Sequence, residues 1–112
     1  MTSSEFTLLF EEQMARCESI LLTKRDEYAT ADVLSNFKSA AGLIRSTPRA
    51  TLAGMMLKHT VSIYDMCREP EPRGIDVWDE KITDHINYLI LLRACVEEEI
   101  NNKTTEVSHE RV

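Results

Sequence analysis

Turn-forming residues are scarce in this chain, and half of them sit in one place. The 112 residues include three glycines and three prolines, and Pro70, Pro72 and Gly74 all fall within the stretch Glu69–Gly74. An all-β sandwich or barrel needs a turn about every 8–12 residues, so that class is excluded. A glycine-rich phosphate loop of the Rossmann or P-loop kind is also absent. What remains is a chain of helices with few interruptions. With 43% apolar and 29% charged residues, the composition is that of a globular domain. A chain of this length buries roughly two-thirds of its unfolded surface, enough for one core and not two.

Periodicity then places four helices. The first spans about Ser3 to Glu27, opened by a capping box of Thr2 and Glu5. Its apolar stripe is Phe6, Phe10, Met14, Cys17 and Leu21, with Glu11, Glu12, Arg16, Lys24 and Arg25 largely opposite. Tyr28–Thr30 reads as a hinge. A second helix spans Ala31 to Ser46, with Val33, Phe37, Ala40 and Ile44 as its stripe and Leu34 and Ala41 beside it. Thr47-Pro48 is a start signal, threonine as cap and proline at the first helical position. The third helix runs from there to about Glu69. Leu52, Met55, Met56, Ile63, Met66 and Cys67 share one of its faces, and Lys58, Ser62 and Asp65 the other. Glu69–Gly74 is a surface loop. Asp76 can cap a fourth helix over Val77 to Asn101.

These boundaries predict an all-α four-helix bundle. It forms a single domain over residues 1–101, followed by a polar, aperiodic stretch, 102–112, expected to be a disordered tail. On the fourth helix Ile82, Ile86, Leu89, Val96 and Ile100 form the main apolar face, yet Tyr88, Leu91, Ala94 and Cys95 on the far side are also largely apolar. A helix apolar all round is buried on both sides, which predicts a central helix or a subunit interface, and a homo-oligomer.

The net charge of −6 and pI near 5.0 argue against a general nucleic-acid-coating role, which needs a basic face. They leave room for a small anionic ligand held by a few placed cations. The longest apolar run, Leu89–Leu92, is far short of the roughly 20 residues that span a bilayer, so no membrane partner is expected. Neither a basic-then-apolar leader nor a CxxC is present, so Cys17, Cys67 and Cys95 read as reduced core thiols of a cytoplasmic protein.

Residues suited to chemistry gather on the third and fourth helices. Glu80, Asp84 and Asn87 lie at i, i+4 and i+7, a polar stripe that continues into Leu91. Two acids four apart can share a hard divalent ion such as Mg²⁺, or they can simply face solvent. If Lys58, Ser62 and Asp65 face that stripe, Asp65 adds a third carboxylate and Lys58 a phosphate contact. The plainer alternative pairs Lys58 with Asp84 or Glu80. His59 reads as a hydrogen-bonded core histidine, and His85 points about 100° away from its neighbour Asp84. Arg45 and Arg49 flank Ser46-Thr47 at the start of the third helix, a potential anion site or ordinary surface charge. Tyr28, Phe37, Tyr64, Trp78 and Tyr88 are candidates to stack on a base, Tyr28 first. No nucleophile signature stands out.

In chain order, Arg25-x-x-Tyr28, Asn36-Phe37, Met55-Met56-Leu57-Lys58 and Asp84-x-x-x-Tyr88 resemble a known pattern. It is that of small helical proteins widespread in bacteriophage genomes, close to the MazG-like, all-α nucleotide pyrophosphatases. The resemblance covers about Lys24 to Glu97. The Arg–Tyr spacing is one residue shorter, and Ala29 stands where glycine is common. The resemblance implies an oligomeric MazG-like bundle with a nucleotide pocket between helices. Catalytic members of the wider group hold Mg²⁺ with E-x-x-E and E-x-x-D. Here the third helix carries Lys58-His59 where acids are expected, and Glu80 and Asp84 are one residue further apart.

Three functions follow as expectations, and whether the chain is an enzyme is left open. The first is a non-catalytic binder of a nucleotide or nucleotide-derived signal, such as a host defence messenger sequestered by a phage protein in the host cytoplasm. It would need no cofactor. Its ligand contacts would come from Arg25, Tyr28, Asn36, Arg49, Lys58, Asn87 and Tyr88, with Asp84 and Glu80 on base or ribose. The second is a nucleoside triphosphate pyrophosphatase with Mg²⁺ held by Asp65, Glu80 and Asp84. The third is an interaction module that binds a host protein.

Overall fold

The computed structural model describes residues 1–27 and 32–110, with side chains described for 1–23 and 32–105. The described residues form four helices and no strand: α1 (Ser3–Glu27), α2 (Ser35–Ile44), α3 (Pro48–Arg68) and α4 (Ile75–Glu110).

The local start signals act as expected. Glu5 N–H donates to Thr2 Oγ1 at 3.1 Å while Thr2 N–H donates back to Glu5 Oε2 at 2.9 Å, closing the capping box. Thr47 Oγ1 accepts from Ala50 N–H at 3.1 Å, with Pro48 in the first turn. α2 is shorter than its periodicity suggests. It starts at Ser35 after a turn in which Asp32 Oδ1 accepts the N–H of Leu34. It ends on Arg45, which takes the left-handed conformation (φ 55°, ψ 50°) while Ser46 N–H donates to Ala41 C=O. α4 starts two residues early, where Gly74 C=O accepts from Val77 and Trp78. It runs on to Glu110, so residues 102–110 of the stretch expected as a tail continue the helix, and 111–112 lie outside the described residues. No glycine or proline follows Asn101 to stop it, and the hydroxyls of Thr104 and Thr105 bond the carbonyls of Ile100 and Asn101.

α4 lies between α1 and α3, and α2 packs on α3. α3 and α4 are antiparallel across the Glu69–Gly74 loop. α1 meets α4 through Gln13 Nε2, which donates to the buried Thr83 Oγ1 at 2.9 Å, and through Arg16 with Asp79 at 3.4 Å. Lys38 bridges Asp32 and Glu98, tying the start of α2 to α4. The core is Leu34, Leu52 and Cys95, with Phe37, Met56, Tyr88, Leu91, Leu92 and Ala94 packed around it.

Burial departs from the periodic reading in three places. On α2 the buried positions are Leu34 and Ala41, while Val33 and Ile44 are exposed, so the inward face is turned about one residue from the expected stripe. Cys17 and Cys95 are buried as expected, but Cys67 is exposed. On α1 only the C-terminal half of the stripe is covered. Cys17 is 1% exposed, whereas Phe6 and Phe10 are 59% and 55% exposed. No described helix is long and apolar enough to cross a membrane.

Candidate functional site

Antiparallel pairing of α3 with α4 brings two stretches of opposite character together. Nine residues back from Arg68 is His59, and nine forward from Ile75 is Asp84. The rings of His59 and Tyr88 lie 5.0 Å apart with planes tilted by 39°. Thr60 Oγ1 and His85 Nε2 are 2.8 Å apart, one step outward.

Between these helices, with α2 and Leu21 of α1 closing the sides, lies a cleft of about 390 Å³. That volume falls in the range of small-molecule sites. Phe37, Met55 and Leu91 supply apolar wall, and Asn36, His59, Asp84, Asn87 and Tyr88 bring polar groups to it. The i, i+3, i+7 spacing of Asp84, Asn87 and Leu91 on α4 sets all three on this wall. The polar stripe read from sequence thus runs from exposed Glu80 inward through half-buried Asp84 to buried Asn87.

Asn87 is the chemical focus. It is 6% exposed, yet neither Oδ1 nor Nδ2 has a hydrogen-bond partner among the described residues. A buried amide left unpaired costs about 1–3 kcal/mol. Such a group is uncommon in a native core and calls for an explanation. His59 adds a second unpaired atom, Nδ1, so it is not the satisfied core histidine expected. Burial pushes the His59 imidazole below its ordinary value, opposed by the Asp84 charge and aided by Lys58, Lys81 and His85. The ring is therefore neutral at pH 7, with one nitrogen to donate and one to accept.

The structure brings together Asn36, Asn87 and Tyr88 of the expected ligand contacts, joined by Asp84. It does not bring Lys58 or Arg49 to them. Lys58 and Asp65 line a shallow groove on the outer side of α3 with Ser62 and Arg73, because Leu52 and Met66 take the inward positions of that helix. Lys58 consequently pairs with neither Asp84 nor Glu80. Arg49 pairs with Glu99 at 3.1 Å beside a separate groove that includes Lys38 and Lys103. Asp65, Glu80 and Asp84 do not gather, and among the described residues no cluster of three metal-ligating side chains forms. The Arg25 side chain and Tyr28 lie outside the described residues. His59, Met55 and Leu21 were not anticipated as site residues. Counting outward from the loop could have found His59, while Leu21 reaches the cleft only through the placement of α1. Compared with known proteins, the chain matches no family model, no curated protein and no solved structure.

Proposed function

We propose that the protein binds a nucleotide or nucleotide-derived small molecule without turning it over, seating the base in the cleft between α2, α3 and α4. The observation that carries this reading is the buried, unpartnered amide of Asn87 in the wall of a mostly apolar cleft. A planar heterocycle supplies what that cleft lacks, hydrogen-bonding edges for Asn87 and flat faces for Phe37, Tyr88 and the aliphatic walls. No described lysine or arginine lines the cleft, so phosphate groups on such a ligand would lie outside it. The Mg²⁺-dependent pyrophosphatase alternative gains no support from the dispersed Asp65, Glu80 and Asp84.

Self-association belongs to the same proposal. The chain exposes 8,491 Å², against about 6,300 Å² for a compact monomer of its mass. Its radius of gyration is 17.7 Å, against about 13 Å for a compact chain of this length. The excess of surface is on the scale that obligate homodimers cover, and the bare Phe6, Leu9 and Phe10 of α1 supply apolar area for it. In the MazG-like reading the helical core likewise assembles as a dimer or tetramer.

The test is a melting-temperature screen against nucleosides, mono- and triphosphates, cyclic dinucleotides and alarmones, each with and without Mg²⁺. A ligand at a hundred times its Kd adds about 2.7 kcal/mol. A metal-independent rise of several degrees with one class, and that ligand recovered intact, is the expected result. A ligand consumed only with Mg²⁺ would favour the pyrophosphatase, and no rise with any compound would remove the nucleotide from the cleft.

A further inference from the structure

We propose that the cleft takes a positively charged planar ring, the pyridinium or N-alkylated base of a nucleoside, in preference to a neutral base, an inference that rests on the nucleotide-binding reading above. Charge and surface in the cleft both favour a cation. Asp84 is half-buried in the wall, and among the described residues it has neither an ion pair nor a hydrogen bond. Of the described residues that line the cleft it alone carries a charge, since no lysine or arginine is there and the His59 ring is neutral at pH 7. Lys58, Lys81 and His85 act on His59 only through their field, and none of them lines the cleft.

In the empty cleft water can solvate the Asp84 carboxylate. A ring that fills the cleft removes that water, and a carboxylate covered without a cation or a set of donors is costly. A neutral base meets it only if an N–H happens to face it. A cationic heterocycle spreads its charge over the whole ring, so it meets the carboxylate whichever way round it lies. Phe37 and Tyr88 line the same cleft, and the face of an aromatic ring attracts a cation within about 6 Å of its centre. Asn87 stands three residues from Asp84 on α4, which makes the two neighbours on one helix face, within reach of a single ring. Its donor and acceptor are both unpaired and carry no charge, so they serve a neutral base and a cationic one alike. The amide therefore binds and the carboxylate selects.

The experiment is calorimetric titration of the full chain with two matched pairs. Nicotinamide riboside has a cationic ring, and its reduced dihydro form keeps the same carboxamide and ribose without the charge. N1-methyladenosine is cationic and adenosine is not. The cationic member of each pair that binds should bind roughly tenfold tighter. Asp84→Asn keeps the shape and removes the charge, so the ratio within a pair should fall to about one. Asp84→Glu keeps the charge and should keep a preference for the cation. Equal affinities in the wild type, or tighter binding of the neutral members, would overturn the inference, need no variant to read, and leave the nucleotide-binding reading standing. A full ratio retained in Asp84→Asn would also overturn it, because the aromatic faces or ring shape would then be selecting. No binding of any of the four would overturn it as well, and the melting screen against the nucleotide panel then decides the broader reading on its own.

Discussion

On the proposed reading, Asn87 sets ligand binding against the stability of the empty protein. Leucine there is similar in size and has no polar atoms to leave unpaired, so Asn87→Leu should raise the stability of the ligand-free protein by about 1–2 kcal/mol. It should also abolish the ligand-induced rise in Tm. Chemical denaturation with and without ligand separates the two effects, and loss of both stability and binding would mean that the amide has a structural partner. His59 provides a pH signature. Because burial holds its imidazole below the ordinary 6.5, the folded state binds fewer protons than the unfolded one just below that pH. Stability is then full above pH 6.5 and declines as the pH falls through that value. The lowered carboxyl values of Asp32, held down first by its bond to Lys38, and of Glu69, held down first by Arg73, act only below their unfolded values of 3.8 and 4.5. Melting between about pH 7 and pH 5 should therefore show a fall that His59→Gln reduces, measured by circular dichroism.

Among the helices, α2 has the weakest local support. It has ten residues, no side-chain cap, and a C-terminal turn closed by Arg45 in the left-handed region. Isolated helices of that length are marginal, so α2 depends on Leu34 and Ala41 against α3 and on the Lys38 bridge to Asp32 and Glu98. A left-handed residue with a Cβ costs about 1 kcal/mol. Arg45→Gly should stabilise the protein by roughly that amount, readable in the denaturation midpoint, while leaving ligand affinity unchanged because Arg45 does not line the cleft. A neutral or destabilising result would show that the Arg45 side chain contributes contacts that outweigh the backbone strain. α3 is better supported, with the Thr47 cap, Pro48 in the first turn and Thr51 Oγ1 bonded to Thr47 C=O at 2.8 Å.

The molecule is long, 59 × 30 × 27 Å, because α4 spans it and α1 rests on α4. The N-terminal half of α1 leaves aromatic and aliphatic side chains in solvent, a pattern expected of a surface that another chain covers. Sedimentation equilibrium should give a mass of at least two chains. Phe6→Glu with Phe10→Glu should shift it to the monomer and lower the melting temperature. A wild-type monomer at tens of micromolar would remove self-association from the proposal.

The features legible in the chain are those whose partners lie within four residues. The Thr2–Glu5 box, the Thr47-Pro48 start, the Glu69–Gly74 break and the Asp84–Asn87–Leu91 stripe are all set by helix geometry, and the backbone reproduces each of them. What could not be read locally is which side of a helix meets its neighbour. α2 turns in Leu34 and Ala41 in place of Val33 and Ile44. α3 turns in Leu52 and Met66 of its expected apolar face, but the opposite face with Lys58 and Asp65 points outward and does not meet the Glu80–Asp84 stripe of α4. α1 buries Cys17 and leaves Phe6 and Phe10 bare. On α2 apolar residues occupy more than one face, and a stripe of either rotation satisfies the period; on α1 and α3 the expected stripe is kept, and what the period leaves open is how much of it a neighbour covers and whether the opposite face meets one. The choice belongs to packing between helices far apart in sequence. That packing separates Lys58 and Arg49 from the cleft and leaves the Asn87 amide buried there without a partner among the described residues.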